Sequence, residues 1–541
     1  MRRVPMITIA GTLGRCSGRR TPRRRCCTTR AVKHDRSPHR LRAAVTAAAL
    51  TGALAAPAAV AATGGMPAPA TRASWCPAIP GHRVECGKIT RPLVNGRPDL
   101  GTTPVAYALV RRSHPDKPRA GTLIVNPGGP GAPAIAEGKG YARQFKALLT
   151  DHDLLLVDPR GTGLSGQLNC HVNKNDVPHS GRLGFQEGVA RCAADLGPKA
   201  AGYTSAATAD DFDAVRAELG IDKLVLFGSS YGTYLMPIYA QRHPDRVASI
   251  VLTGAYPLNI DPLGRDSAQA VSTNLRRICA RSGGACDGEK AVRDLTVFAA
   301  RLRATPLKIT LTMDGKPRTV TFNESMLASA TFTGASSGVG ENPTKPSLLG
   351  GLPYILDRAA KSDYEPLRTM LQQSVGGRGD DAAQSVSVVC NDYPRPYSVD
   401  ASIPERRRQF AAALGATRPG AFGAFSPRGF TGGLDDLADA CITWPREGTA
   451  RPYVSTGHFP DVPVLVLSGD LDANTTEAAG RLAAAQFKRA TFIVVPNMGH
   501  TPDADPGGCV TSVIVNFIRT GKTGPTTCIN DLPPITVKPV R

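Results

Sequence analysis

Short apolar runs recur along the chain, each ending in a turn-rich stretch and giving way to a helical pattern. Thr122-Leu123-Ile124-Val125 stops at Asn126-Pro127-Gly128-Gly129-Pro130-Gly131. Asp153-Leu154-Leu155-Leu156-Val157 stops at Asp158-Pro159-Arg160-Gly161-Thr162-Gly163. Across 210–220 the apolar positions Phe212, Val215 and Leu219 fall on one helical face and lead into a run at 223–227. Further runs lie at 247–252, 462–467 and 491–495, separated by helical patterns at 233–242 and 476–487. These runs are continuous rather than alternating, so the predicted strands are buried on both faces. That makes the fold class α/β, a mostly parallel sheet with helices on each side. Between the strands at 247–252 and 462–467 the pattern changes to helices, Gly/Pro-rich loops and a predicted Asp314-Gly315 hairpin. The predicted organisation is a core in two parts, 70–256 and 456–541, with an inserted domain over 257–455.

Composition bounds this picture. The 541 residues are 41% hydrophobic and 20% charged, and the mean hydropathy of −0.15 excludes a polytopic membrane protein. No repeat of 20 to 50 residues suggests a solenoid or propeller. The formal charge of +21 resembles a nucleic-acid signal until it is located: residues 1–61 hold 13 Lys and Arg against the single acid Asp35. The remaining excess is spread along the chain, with no basic reading helix or interleaved aromatics, so no nucleic-acid partner is expected.

The same first 61 residues read as an export leader. An Arg-rich stretch precedes the apolar run 43–60, which is Ala-rich, broken by Pro57 and followed by Ala59-Val60-Ala61, a small-residue cleavage pattern. The expected location is therefore secreted or cell-surface, with the membrane involved only through the export signal. Removing Cys16, Cys26 and Cys27 with the leader leaves ten cysteines: Cys76, Cys86, Cys170, Cys192, Cys279, Cys286, Cys390, Cys441, Cys509 and Cys528. An even set without Cys-x-x-Cys or zinc spacing reads as disulfides in an oxidising compartment and predicts no metal. The simplest connectivity pairs neighbours in order: 76–86, 170–192, 279–286, 390–441 and 509–528.

Gly228-Ser229-Ser230-Tyr231-Gly232 matches G-x-S-x-G, in which a sharp strand-to-helix turn lifts a serine above a sheet. A second match, Gly334-Ala335-Ser336-Ser337-Gly338, precedes Gly338-Val339-Gly340-Glu341-Asn342-Pro343, which cannot start a helix. Context therefore selects Ser230. Its hydroxyl needs a base, and an imidazole suits that role. Three histidines follow it. His243 ends the elbow helix and His458 precedes a strand on the wrong sheet edge. His500 follows the 491–495 strand on the edge where catalytic groups gather. The orienting acid belongs on the loop after the preceding strand, where Leu467-Ser468-Gly469-Asp470-Leu471-Asp472 offers two. Asp472, past the turn, is the choice, and Asp470 is expected to cap the turn or the next helix. The oxyanion donors are expected to be the N–H of Tyr231 and that of Gly129, since Pro127 and Pro130 have none. Arg160 is expected to pair with carboxylates and fix its loop.

With these residues in place, the chain resembles secreted actinobacterial tripeptidyl aminopeptidases, α/β-hydrolase serine peptidases related to prolyl aminopeptidases. The matching segments are Asn-Pro-Gly-Gly-Pro-Gly (126–131), Asp-Pro-Arg-Gly-Thr-Gly-Leu-Ser (158–165), Gly-Ser-Ser-Tyr-Gly-Thr (228–233), Gly-Asp-Leu-Asp (469–472) and Gly-His (499–500). Cys390-Asn391-Asp392, Cys441-Ile442-Thr443-Trp444-Pro445 and the stretch from Thr520-Gly521 to Cys528 extend the likeness over about residues 75–530. The resemblance implies an α/β-hydrolase fold with a large inserted cap, no cofactor, and release of short peptides, chiefly tripeptides, from free N termini. It carries over the triad Ser230, Asp472 and His500 with donors Gly129 and Tyr231. The chain departs from the family at Thr253, where an Asp is frequent, and in Ala132-Pro133-Ala134 after the Gly-rich turn. An exopeptidase also needs a cap carboxylate for the substrate's ammonium, and Asp392 and Glu341 are the candidates. A secreted esterase or amidase and a non-catalytic exported binding protein are the competing functions, because fold and triad leave the acyl substrate open.

Overall fold

Strand register follows directly from the apolar runs. The computed structural model describes residues 73–172, 177–313, 315–374, 382–434, 436–445, 450–455 and 457–540. The leader expected over 1–61 and Asp314 of the expected hairpin lie outside the described residues. An eight-stranded sheet has the order β1-β2-β4-β3-β5-β6-β9-β10. Its strands are β1 Val84–Pro92, β2 Thr102–Val110, β3 Gly121–Asn126, β4 His152–Val157, β5 Leu224–Ser229, β6 Val247–Thr253, β9 Val464–Gly469 and β10 Ala490–Val495. The remaining two, β7 Leu307–Met313 and β8 Lys316–Phe322, pair antiparallel as the hairpin. From β4 to β10 every pairing in the large sheet is parallel, while β1 and β2 add an antiparallel edge.

Alternate residues of each central strand enter two apolar clusters. Ile124, Leu226, Ile250, Leu252 and Val466 face one way; Leu123, Val125, Phe227, Val251 and Leu467 face the other. Both sets are fully buried, which explains the unbroken apolar runs. The first cluster continues into residues of the 257–455 stretch such as Phe332, Leu352 and Phe430, and Thr71–Arg541 forms one compact unit.

All five cysteine pairs join in the predicted order, 76–86, 170–192, 279–286, 390–441 and 509–528. Their Cα–Cα separations, between 4.9 and 6.0 Å, suit a disulfide without backbone displacement. Such bonds are compatible with an exported protein.

Because β5 pairs with β3 rather than with β4, the chain reverses its winding direction there. A crevice opens at the carboxyl edge at such a reversal, and ligands bind in it. The loops after β3, β5, β9 and β10 all end at that edge.

Candidate active site

Ser230 follows β5 and precedes the helix Gly232–Arg242. Its φ of +52° is a left-handed conformation that few non-glycine residues adopt, the mark of a tight strand-to-helix turn. The two motif glycines are required by contact. A Cβ on Gly228 would lie 2.3 Å from the Gly232 carbonyl oxygen, and one on Gly232 would lie 2.6 Å from that of Asn126. The Ser230 N–H donates to the Thr253 carbonyl at the end of β6 (3.0 Å), which fixes the turn to the neighbouring strand.

Gly128, at φ +99°, packs so closely on this turn that a Cβ would meet Ser230 Cβ at 2.9 Å and the Tyr231 nitrogen at 3.1 Å. The Gly-rich loop therefore lies against Ser230. Its position is set from both sides. Asn126 Oδ1 accepts the Gly128 N–H (3.1 Å), and buried Asp158 accepts the N–H groups of Ile135 and Leu164, each at 2.9 Å. Gly129 and Tyr231 N–H groups donate to no acceptor among the described residues.

Asp472 and His500 meet across the adjacent loops. His500 Nδ1 lies 2.9 Å from Asp472 Oδ2, and the carboxylate is fully buried. Asp472 is held by three more donors: the Asn474 and Thr475 N–H groups on Oδ1 (2.7 and 3.0 Å) and the Thr475 hydroxyl on Oδ2 (2.6 Å). The Thr475 hydroxyl also lies 3.1 Å from His500 Nδ1. Thr475 was not singled out from sequence; its spacing of three residues after the acid, typical of a side chain that closes an Asp turn, is the signal that could have found it.

Burial works against a charged imidazole, but the Asp472 charge and hydrogen bond, joined by the Asp503 charge, outweigh it. The His500 pKa is raised from its ordinary 6.5. Against Gly254, immediately after β6, the ring approaches to 3.3 Å of where a Cβ would stand. Ser230 and His500 thus both abut the end of β6. No hydrogen bond joins the Ser230 hydroxyl to the ring in this geometry. Such contacts commonly tighten only when substrate is bound.

Other sequence expectations resolve into structural roles. Asp470 caps neither the turn nor the following helix; it accepts the Asn497 N–H (2.7 Å) and pairs with Arg281 (2.5 Å), joining the acid loop to the histidine loop. Thr476 is the cap of the helix Glu477–Ala484. Arg160, 3% exposed, binds both oxygens of Asp211 (2.7 and 2.8 Å) and the carbonyls of Leu93 and Gly202, as expected of a loop-fixing fork. Thr253 donates to Asp503 at 2.6 Å, so the departure noted there is absorbed into a hydrogen bond. Ser336 is no rival nucleophile. It is fully buried, its hydroxyl donates to the Phe332 carbonyl (2.8 Å) and accepts the Ala473 N–H (2.9 Å), and its carbonyl accepts the His500 N–H (2.9 Å).

A cavity of about 420 Å³ opens over Ser230 and Gly129, a size that suits a small ligand. It is also lined by Pro257, residues 259–262 and 264–267, Phe332, Tyr393 and Asp436. Neither expected ammonium acid lines it. Asp392 is 2% exposed and accepts the Ser205 N–H at 2.6 Å; burial pushes its pKa up to about 6 against the Ser205 bonds and Arg395. It joins two helices rather than facing substrate. Glu341 is exposed on a turn outside the cavity.

A family model described as alpha/beta hydrolase fold matches residues 121–346, and one described as TAP-like protein matches 432–528. The chain is 27% identical to serine protease Hip1 of Mycobacterium tuberculosis over 83% of its own length and 87% of that protein's. It is 33% identical to the tripeptidyl aminopeptidase of Streptomyces lividans over 31% of this chain and 35% of that one. Carboxylesterase B of Mycobacterium tuberculosis is 27% identical over 82% of this chain and 85% of its own. With the doubly covered parallel sheet and the serine elbow, these matches show a serine hydrolase of the α/β-hydrolase fold that is similar to TAP-like proteins over residues 432–528.

Proposed function

We propose that this chain is an exported serine peptidase that releases short peptides, chiefly tripeptides, from free N termini through an acyl-enzyme on Ser230. The observation that carries the reading is the Asp472–His500 hydrogen bond of 2.9 Å beside a serine on a left-handed elbow that opens into a cavity. In this mechanism the Ser230 oxygen attacks the scissile carbonyl carbon and its proton passes to His500 Nε2. Asp472 accepts from Nδ1–H, which fixes the tautomer and stabilises the imidazolium. The carbonyl electron pair moves onto oxygen, where the Gly129 and Tyr231 N–H groups receive it; one such donor is worth about 2.7–4 kcal/mol. Collapse of the tetrahedral species breaks the C–N bond, and the imidazolium gives its proton to the leaving amine. Water, deprotonated by the same imidazole, then cleaves the ester and frees the peptide.

The names of Hip1 and the Streptomyces aminopeptidase support peptides as the substrate class. Residues 257–455 act as a cap, a reading supported by the cavity walls they supply. Export is supported by the leader pattern of 1–61 and the five disulfides. The likeness to carboxylesterase B favours a second reading, an esterase on the same site. Hydrolysis of tripeptide amides with free and acetylated N termini, beside short acyl esters, separates the two. The peptidase reading expects turnover that prefers free amines and vanishes in Ser230→Ala. Cleavage of esters alone would replace it with the second reading.

A further inference from the structure

The cavity over Ser230 carries three carboxylates, Asp261, Asp266 and Asp436, against the single guanidinium of Arg265, although the chain as a whole is strongly basic. The three acids are not equivalent. Asp261 is spent: Oδ2 accepts from Arg265 N and Nε, each at 2.9 Å, and Oδ1 from Arg265 Nη2 at 3.0 Å. Asp266 is exposed in the first turn of the helix Arg265–Ala280, where water screens it. Asp436 is half-buried and has no hydrogen-bond or ion-pair partner among the described residues.

The surroundings of Asp436 sharpen the contrast. Tyr256 and Tyr393 also line the cavity, are almost fully buried, and join hydroxyl to hydroxyl at 2.5 Å. Burial is the main cause that raises the ionisation of both phenols, and the Asp436 charge adds to it. A carboxylate that faces a ligand cavity without a partner among the described residues is placed to pair with a bound cation.

We propose that Asp436 receives the α-ammonium of the peptide whose scissile carbonyl sits at Ser230, and thereby makes the cavity selective for free N termini. The assignment rests on the peptidase reading and adds to it the group that recognises the substrate's end. It gives the ammonium role to neither Asp392 nor Glu341, which lie outside the cavity.

The test compares wild type, Asp436→Asn and Asp436→Glu on a free tripeptide amide, its N-acetyl counterpart and a short acyl ester. Asp436→Asn is expected to lower kcat/KM for the free amine by about ten- to a hundredfold, mainly through KM, while the acetylated peptide and ester change less than about threefold. Asp436→Glu should restore part of the preference. In wild type the free-amine rate should also fall as pH passes about 8, where an α-ammonium loses its proton, and the acetylated rate should not. A wild-type preference that survives unchanged in Asp436→Asn overturns the assignment and leaves the peptidase reading standing. Parallel loss on all three substrates in both variants overturns it too, by marking Asp436 as structural. Equal wild-type rates on free and acetylated peptides would remove the exopeptidase reading and this assignment together.

Discussion

His500 and Asp472 have little conformational freedom. Four donors meet one buried carboxylate: two N–H groups, a threonine hydroxyl and the imidazole. A carboxylate so held keeps the ring in one orientation and one tautomer. Replacing Asp472 by Asn removes the charge and presents the wrong partner to Nδ1. Its expected cost is about 10⁴-fold in kcat, as in other serine triads. The sign of the pH effect follows from the upward shift. His500 must be neutral to accept the serine proton, so kcat/KM should rise with pH through a midpoint above 6.5. In Asp472→Asn the main raising influence is gone, and the midpoint of the residual activity should move down. A pH–rate profile of both proteins checks this, and an acid limb that stays put in the variant would count against the pairing.

Among elements, the loops after β9 and β10 are set by contacts that reach outside the core strands. Ser336, in the 257–455 stretch, touches both: its hydroxyl holds Ala473 N–H beside the acid and its carbonyl holds His500 N–H. Ser336→Ala removes the first contact and keeps the second. It is expected to lower kcat by about ten- to a hundredfold with KM nearly unchanged, because small displacements of a base are costly. Steady-state kinetics on a tripeptide amide reads this directly. Arg160 does the equivalent for the loop after β4. Asp211→Asn would leave its guanidinium buried and half-paired, and should destabilise the fold by about 3–5 kcal/mol in denaturant unfolding.

The same scale shows what could be read from sequence. Strands β3 to β6 and β9 announce themselves because both faces are buried, so their apolar runs are unbroken, while β10 at the sheet edge is apolar but largely half-buried. Strands β1 and β2 form the antiparallel edge, and β1 alternates half-buried with exposed positions, a weaker signal that was not singled out. Ser230, Asp472 and His500 were legible because each follows its own strand at one sheet edge. Asp436, Thr475 and Ser336 were not. Nothing local separates a cavity-facing acid from a solvated one; that distinction is made by packing between segments hundreds of residues apart. Asp392 misled for the same reason, since its burial against Ser205 is a long-range fact.

Over the whole molecule, the apolar core of the 257–455 stretch is continuous with one face of the sheet, so cap and core should unfold together. Cys390–Cys441 closes a separation of 51 residues within that stretch. Chain entropy predicts that Cys390→Ser with Cys441→Ser costs about 2–4 kcal/mol, measurable as a lower unfolding midpoint in one transition. Two separated transitions would show that cap and core are independent.

In the proposed mechanism Ser230, His500 and Asp472 act as one proton-transfer unit. A peptidyl phosphonate probes that unit, with the adduct mapped by mass spectrometry and the inactivation rate followed against pH. A single adduct on Ser230 is expected, forming faster as His500 loses its proton and almost abolished in His500→Ala. An adduct on a different residue, or an unchanged rate in His500→Ala, would contradict the account.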